Sequence, residues 1–552
     1  MKLLKSWKLM FLLSLIIIYS MFGVNVFSQA SKLPSDDFSR HIELAEIKTG
    51  NFQDSRNAST ITALDLENGK IGVLYYDTTL NYIELSNSAK VLKKVDLNLS
   101  FDDLRELNFR SVDEDSVSFY TVDGSDVYNY TVNTTTNVVD KKIISRGAKS
   151  IRTSRNYLTI ILKNGYSILK DTGTSLETIY ESEHSPRNMS NLVDNGDLSF
   201  SYLAIDENGV QKLWYYNFTN SNKSSIITNI TTIPSNGNYS TSSISIVLDG
   251  NLISILHEGT DYKTGTSTLT IYKENPNVIF DELFTKTILN GLKSADGSIL
   301  ISSSDNNFEF VTRVPNKESD SEIAHDIYLF GYDNYKLTKA KKLTKSGGNS
   351  SNPNYIQTDS SNFLIWTDSI GLNKSILIAG DNEDIINTSY KLSKNDMTQV
   401  FMDITFTLSP TLFSFMLPLL SIAGPIIFIL IIMSFVNLTY LERNGKRILA
   451  IIIGFHIILK FYFIYNTLFG TLPHMRELLP LYISNIYILL IYMIILTAIS
   501  LWINYLKNPK FLEGRDIWMN YISFMLIDIL IVWLAIMPYL YMWLDVSSSS
   551  YI

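Results

Sequence analysis

The sequence predicts a two-part fold: an all-β N-terminal domain, read as a seven-bladed β-propeller, followed by an α-helical transmembrane bundle of about four helices. Three observations carry that prediction. Long apolar runs are confined to residues 1–30 and 404–544, and the stretch between them is polar and rich in short alternating runs. Turn-type clusters recur along that stretch at intervals of about 40–60 residues.

At the N-terminus, Lys2, Lys5 and Lys8 flank the start of an uncharged apolar run over residues 9–27, and Ser28, Gln29 and Ala30 follow. A basic start, an apolar middle and small residues at the end are the pattern of a secretory signal peptide, assigned to residues 1–30. The alternative is an uncleaved anchor, because the run is long enough to span a bilayer. Either fate exports the segment that follows.

Residues 31–403 form the expected extracytoplasmic domain. Its runs, such as residues 70–76, 116–120, 157–162 and 198–203, are β-branched and aromatic and are bounded by polar turns. The turns stand around Glu67, Asp113, Ser154, Asp194, Asp249, Asp296 and Ser360. A unit of that length holds about four strands, the size of one propeller blade, which buries its faces only against its neighbours. Six or eight blades are the near alternatives. Two tandem β-sandwiches, divided near residue 235, are the distant one. The units carry no Gly-His to Trp-Asp pattern, no double-Gly motif and no sialidase-type Asp box.

Four apolar stretches follow, at residues 404–441, 448–470, 478–506 and 517–544. The first is too long for one helix and too short for two with a turn, and Pro418, Gly424 and Pro425 punctuate it. It is read as an interfacial approach segment at 404–417 and a kinked span at 418–441, so the membrane domain covers 418–544 and leaves an outer tail at 545–552. Loops 442–447 and 507–516 hold three basic residues each, loop 471–477 holds one and the tail none. By the positive-inside rule the first two loops are cytoplasmic, which leaves the N-terminal domain and the C-terminus outside a cell membrane crossed several times.

Ionisable residues inside these spans are few: His456, Lys460 and Asp528. Lys460 and Asp528 sit at similar depth on helices that run in the same direction, and His456 shares a face with Lys460 four residues on. The expectation is an intramembrane ion pair with His456 nearby, serving helix packing or, alternatively, an ion path.

Chemistry is otherwise sparse. Residues 31–403 hold 35 basic and 48 acidic side chains, which excludes nucleic acid as a partner because that requires displaced counterions. The chain has no cysteine, so disulfides, thiolate metal sites and cysteine nucleophiles are excluded, and a bacterial origin is favoured. No nucleophile elbow, phosphate loop, zinc-protease motif or dinucleotide motif occurs, so no catalytic, cofactor-binding or metal-ligating residue is assigned and no cofactor is expected. The acidic runs at 113–115, at Asp123 with Asp126, at Asp194 with Asp197 and at 381–384 read as turn formers.

The resulting expectation is a membrane-anchored binding or scaffold protein that presents a propeller to a protein or glycan partner. Two other classes stay open: an accessory or core subunit of a membrane transporter, and an envelope glycoside hydrolase using carboxylates in the propeller cleft.

Overall fold

Strand B of the first blade, Lys70–Tyr76, shows how local sequence sets the fold. Successive strand side chains point to opposite faces, and here both alternating sets are buried: Ile71, Val73 and Tyr75 on one side, Leu74 on the other. A strand buried on both faces needs a sheet against each, and a ring of sheets provides that. The computed structural model describes residues 6–543 apart from 48–60, 67–68, 174, 191–192, 195–196, 207, 220–223, 234–238, 250–251, 262, 265, 275–283, 291, 293–294, 305, 317–323, 346–347, 359, 371–372, 393, 414–426, 428–429, 432–433, 435–437, 467–478 and 510–516.

The ring has seven antiparallel blades. From the innermost strand outward, blade 1 is Ile61–Leu66, Lys70–Tyr76, Leu80–Leu85 and Val91–Asp96. Blade 2 is Leu104–Val112, Ser116–Asp123, Asp126–Asn133 and Val139–Arg146, and blade 3 is Ala148–Ser154, Tyr157–Leu162, Gly165–Asp171 and Leu176–Ser182. Blade 4 is Pro186–Met189 with Val193–Asp194, then Leu198–Ile205, Gln211–Thr219 and Ser224–Thr232. Blade 5 is Tyr239–Asp249, Leu252–Asp261, Thr266–Glu274 and Phe284–Leu289, and blade 6 is Asp296–Ser304, Asn307–Asn316, Ala324–Asp333 and Lys336–Lys342. Blade 7 is composite: Asn349–Gln357, Asn362–Ile370 and Asn373–Gly380 are completed on the outside by the N-terminal strand Ile42–Ile47.

Seven apolar clusters fill the seven gaps between blades, including the gap between blades 7 and 1, so the ring is closed and tandem sandwiches are ruled out. Blades 1 and 2, for example, meet through Leu74, Tyr82, Phe109, Phe119 and Tyr130, all buried. Polar clasps add to this. Glu106 of blade 2 accepts the Ile151 backbone N–H of blade 3 at 2.5 Å, and Glu258 of blade 5 accepts the Ser298 N–H of blade 6 at 2.8 Å. In both cases the donor strand is the innermost of its blade, whose alternate N–H groups face away from the ladder.

Most sequence turns fall at the first-to-second strand junction of a blade. Asp296 and Gly297 are the exception: they open the inner strand of blade 6, whose junction lies between Ser304 and Asn307. Blade 6 also carries a two-residue hairpin in which Asn334 and Tyr335 both have positive φ (49° and 61°), the conformation that matches strand twist.

The helical unit contains α1 (Trp7–Ser31), and α2 (Glu383–Ser389) closes the propeller before it. The unit continues with α3 (Lys394–Phe413), α4 (Leu438–Tyr465), α5 (Leu481–Ser484), α6 (Ile486–Lys507) and α7 (Ile517–Trp543). Among the described residues, four helices are long and apolar enough to cross a membrane: α1, residues 444–465 of α4, α6 and residues 519–540 of α7. α4 is broken at Asn444 (φ −112°, ψ 15°), inside the basic loop read from sequence. The expected span 418–441 lies mostly outside the described residues, and α3 begins upstream of the expected approach segment at 404–417.

Candidate functional site

Polar side chains are costly inside an apolar helical core unless they meet one another, and here they do. α4 supplies His456 and Lys460 one turn apart, α6 supplies Thr497 and α7 supplies Tyr521 and Asp528. Lys460 Nζ donates to Asp528 Oδ2 at 2.7 Å and to Thr497 Oγ1 at 2.6 Å. His456 Nε2 lies 3.0 Å from the same Asp528 oxygen, and the Tyr521 hydroxyl lies 3.4 Å from His456 Nδ1. The structure therefore brings together all three residues singled out from sequence.

The cluster is sealed, with Asp528 0%, His456 3% and Lys460 8% exposed. Asp528 Oδ2 meets both Lys460 and His456, whereas Oδ1 has no hydrogen-bond partner among the described residues. Beside Lys460, Phe463, Ile464, Val532, Trp533 and Ile536 line an apolar cavity of about 40 Å³. That is far below the roughly 300–1,000 Å³ of ordinary ligand sites.

Sequence reading did not single out Thr497 or the polar seam that continues from it; Tyr521, which it places in an interfacial aromatic belt with Trp502 and Tyr505, is buried against His456 instead. Thr497, Ser500 and Asn504 are buried along one face of α6, and Ser523 of α7 donates to Asn504 Oδ1 at 2.8 Å. Lys507 Nζ donates to Ser523 at 3.1 Å. The spacing of three and four residues on α6 was the available signal, because it puts Thr497, Ser500 and Asn504 on one stripe.

In the propeller, three of the acidic runs make hydrogen bonds in turns and connections, while the Asp194 side chain lies outside the described residues. Asp113 accepts from the Ser116 hydroxyl, Asp123 from the Asp103 N–H, and Asp381 from the N–H of Asn362. Asn382 caps α2 by accepting the Asp384 N–H at 2.9 Å. Among the described residues, no three His, Asp or Glu side chains converge as a metal site would require. One pair is notable for burial. His257 and Glu258 sit on the second strand of blade 5, where burial, aided by Lys286, pushes His257 down to about 4, and burial pushes the Glu258 carboxyl above its ordinary range.

The chain's entry into and exit from the propeller are joined. Ser39 N–H donates to the Gly380 carbonyl and Gly380 N–H to the Ser39 hydroxyl. Arg40 donates to Ser389 through both its backbone N–H and its guanidinium. Asn382 donates to Ser361 at the first-to-second strand junction of blade 7, so both chain ends leave at the rim that carries the junctions between strands one and two and between strands three and four. The opposite rim is formed by strand-two-to-three turns and blade-to-blade connections, and neither chain end of the propeller leaves there.

No protein-family model matches the chain, and no curated protein matches it in sequence. Solved structures similar to it include a protein of unknown function from Dyadobacter fermentans, at 10% identity and TM-score 0.36 over 62% of this chain and 98% of that one. Trypanosoma rangeli sialidase in complex with sialic acid matches at 7% identity and TM-score 0.34, over 60% of each chain. Polysaccharide lyase Uly1 matches at 7% identity and TM-score 0.40, over 63% of this chain and all of that one. At these scores the resemblances carry no argument about function.

Proposed function

We propose that the protein is a membrane-anchored extracytoplasmic binding or scaffold protein whose propeller offers its untethered rim to a protein or glycan partner. The observation that carries this reading is the placement of both chain ends on one rim of blade 7. With both chain ends on that rim, the opposite rim is the one assigned to the partner. The basic loops of the helical part support an outward-facing propeller. The transporter reading would need a polar site that solvent reaches, and Asp528 is fully buried. The hydrolase reading would need paired carboxylates in one cleft, and Asp113, Asp123 and Asp381 are occupied in turns and connections instead.

The test is capture of partners by full-length protein in mildly solubilised membranes. Charge-reversing Asp102, Lys163 and Lys263, all exposed on the untethered rim, removes the captured partner, whereas reversing Glu114, Arg155 and Lys336 on the tethered rim leaves it. Equal loss from both sets sinks the assignment.

A further inference from the structure

We infer that α1 is retained in the mature protein as a spanning helix of the bundle, in place of a cleaved signal peptide. The inference goes beyond the binding role and holds whatever the propeller takes up. α1 has 25 residues, about 37 Å at about 1.5 Å per residue, against a hydrocarbon core of about 30 Å. Length alone would suit a signal anchor; the packing is what discriminates.

One stripe of α1, at intervals of four residues, is buried: Ser14, Ile18, Phe22 and Val26. Phe22 is 0% and Val26 1% exposed, and both belong to the cluster that contains Leu489 and Met493 of α6 and Ile531 and Ala535 of α7. The Phe22 ring meets Tyr539 of α7 edge-on at 5.0 Å. At Gly23 a Cβ would stand in ordinary van der Waals contact, 3.7 Å from Ile404 Cδ1 of α3, so α1 and α3 are neighbours there. The opposite face is exposed and apolar, with Ile17 and Val24 suited to lipid.

The direction of α1 is consistent as well. Lys507, at the C-terminal end of α6, lies 5.8 Å from the Trp7 ring at the start of α1, so the two helices are antiparallel and their basic ends coincide. That end is the one the loop charges place inside. The small residues that would suit a peptidase, Ser28 and Ala30, lie within the last turns of the helix, and Ala30 packs against the same cluster. A scissile bond must be unwound, and this one lies inside a regular helical turn.

The experiment is intact-mass measurement and N-terminal sequencing of the full chain purified from membranes. The expected mass includes residues 1–30, and an N-terminus at Ser31 overturns the inference. Because the chain has no cysteine, packing can be read separately with a Gly23→Cys, Ile404→Cys pair and a short thiol-to-thiol cross-linker. A mobility shift is expected for this pair and none for Val24→Cys with Ile404→Cys. Full-length chains that give no shift with the first pair, or equal shifts with both, overturn the packing on which retention rests. Neither readout depends on partner capture, so the binding proposal stands or falls separately.

Discussion

Arg40 donates its backbone N–H and its guanidinium Nη1 to Ser389, each at 3.1 Å, across 349 residues of sequence. Arg40 is only 3% exposed. The contact sits where strand Ile42–Ile47 completes blade 7, so it locks the ring at the point where N- and C-terminal segments meet. Replacing Arg40 with Ala removes a charge-assisted hydrogen bond in a buried setting, with an expected cost of about 1.5–3 kcal/mol. Thermal unfolding followed by tyrosine fluorescence should show one earlier transition for Arg40→Ala; an unchanged midpoint would mean that the clasp does not hold the ring.

His257 provides a pH test. Burial, with Lys286 adding to it, depresses the imidazole to about 4, and Thr241 Oγ1 lies 2.9 Å from Nε2. The unfolded chain takes up a proton near pH 6.5, whereas the folded one resists it until about 4. The neutral native form therefore contributes full stability above about pH 6.5 and loses it as pH falls toward 4, by an order of ~3 kcal/mol. Glu258 next to it titrates in the opposite sense, so the comparison must be made between wild type and His257→Asn. The difference in unfolding free energy between them should shift across pH 6.5 to 4; a constant difference would rule out His257 as the cause.

The blade count was legible because each blade repeats one local event, a polar turn between its first and second strands, as around Asp113 and Ser154. Closure was not legible. Ile42–Ile47 is an unremarkable alternating run, and nothing near it in sequence indicates that Asn373–Gly380 is its partner. Asp296 and Gly297 misled because Asp-Gly favours positive φ (Gly297 is at 72°), a conformation that serves a bulge as well as a hairpin. In the helical unit, charged residues stood out against an apolar background, so His456, Lys460 and Asp528 were visible. Thr497 was not, since Thr is common in membrane helices, and Tyr521 fitted an interfacial belt; only packing aims both at the charges.

Trp366 tests the ring as a cooperative body. It is fully buried among Val311, Leu329, Leu364 and Leu377, between blades 6 and 7. Trp366→Ala should cost about 3–5 kcal/mol through lost contacts and a residual cavity. Hydrogen exchange should then rise in both blades together. Faster exchange confined to blade 7 would indicate that blades open singly.

The Lys460–Asp528 pair separates packing from transport. Removing one partner leaves a buried charge, and Lys460→Met or Asp528→Leu alone should each cost about 3–5 kcal/mol. Removing both leaves a largely apolar core beside His456, so the double variant should recover most of that loss. Exchanging the residues, as Lys460→Asp with Asp528→Lys, should also recover part of it, limited by Thr497 and His456, whose hydrogen bonds are matched to the present order. The readouts are thermal stability in detergent and the amount of partner captured through the propeller. If the pair serves packing, both recover together in the double variant. A double variant that is stable in the membrane yet loses cellular function with partner capture intact would instead assign the charges a role of their own, and the transporter reading would return.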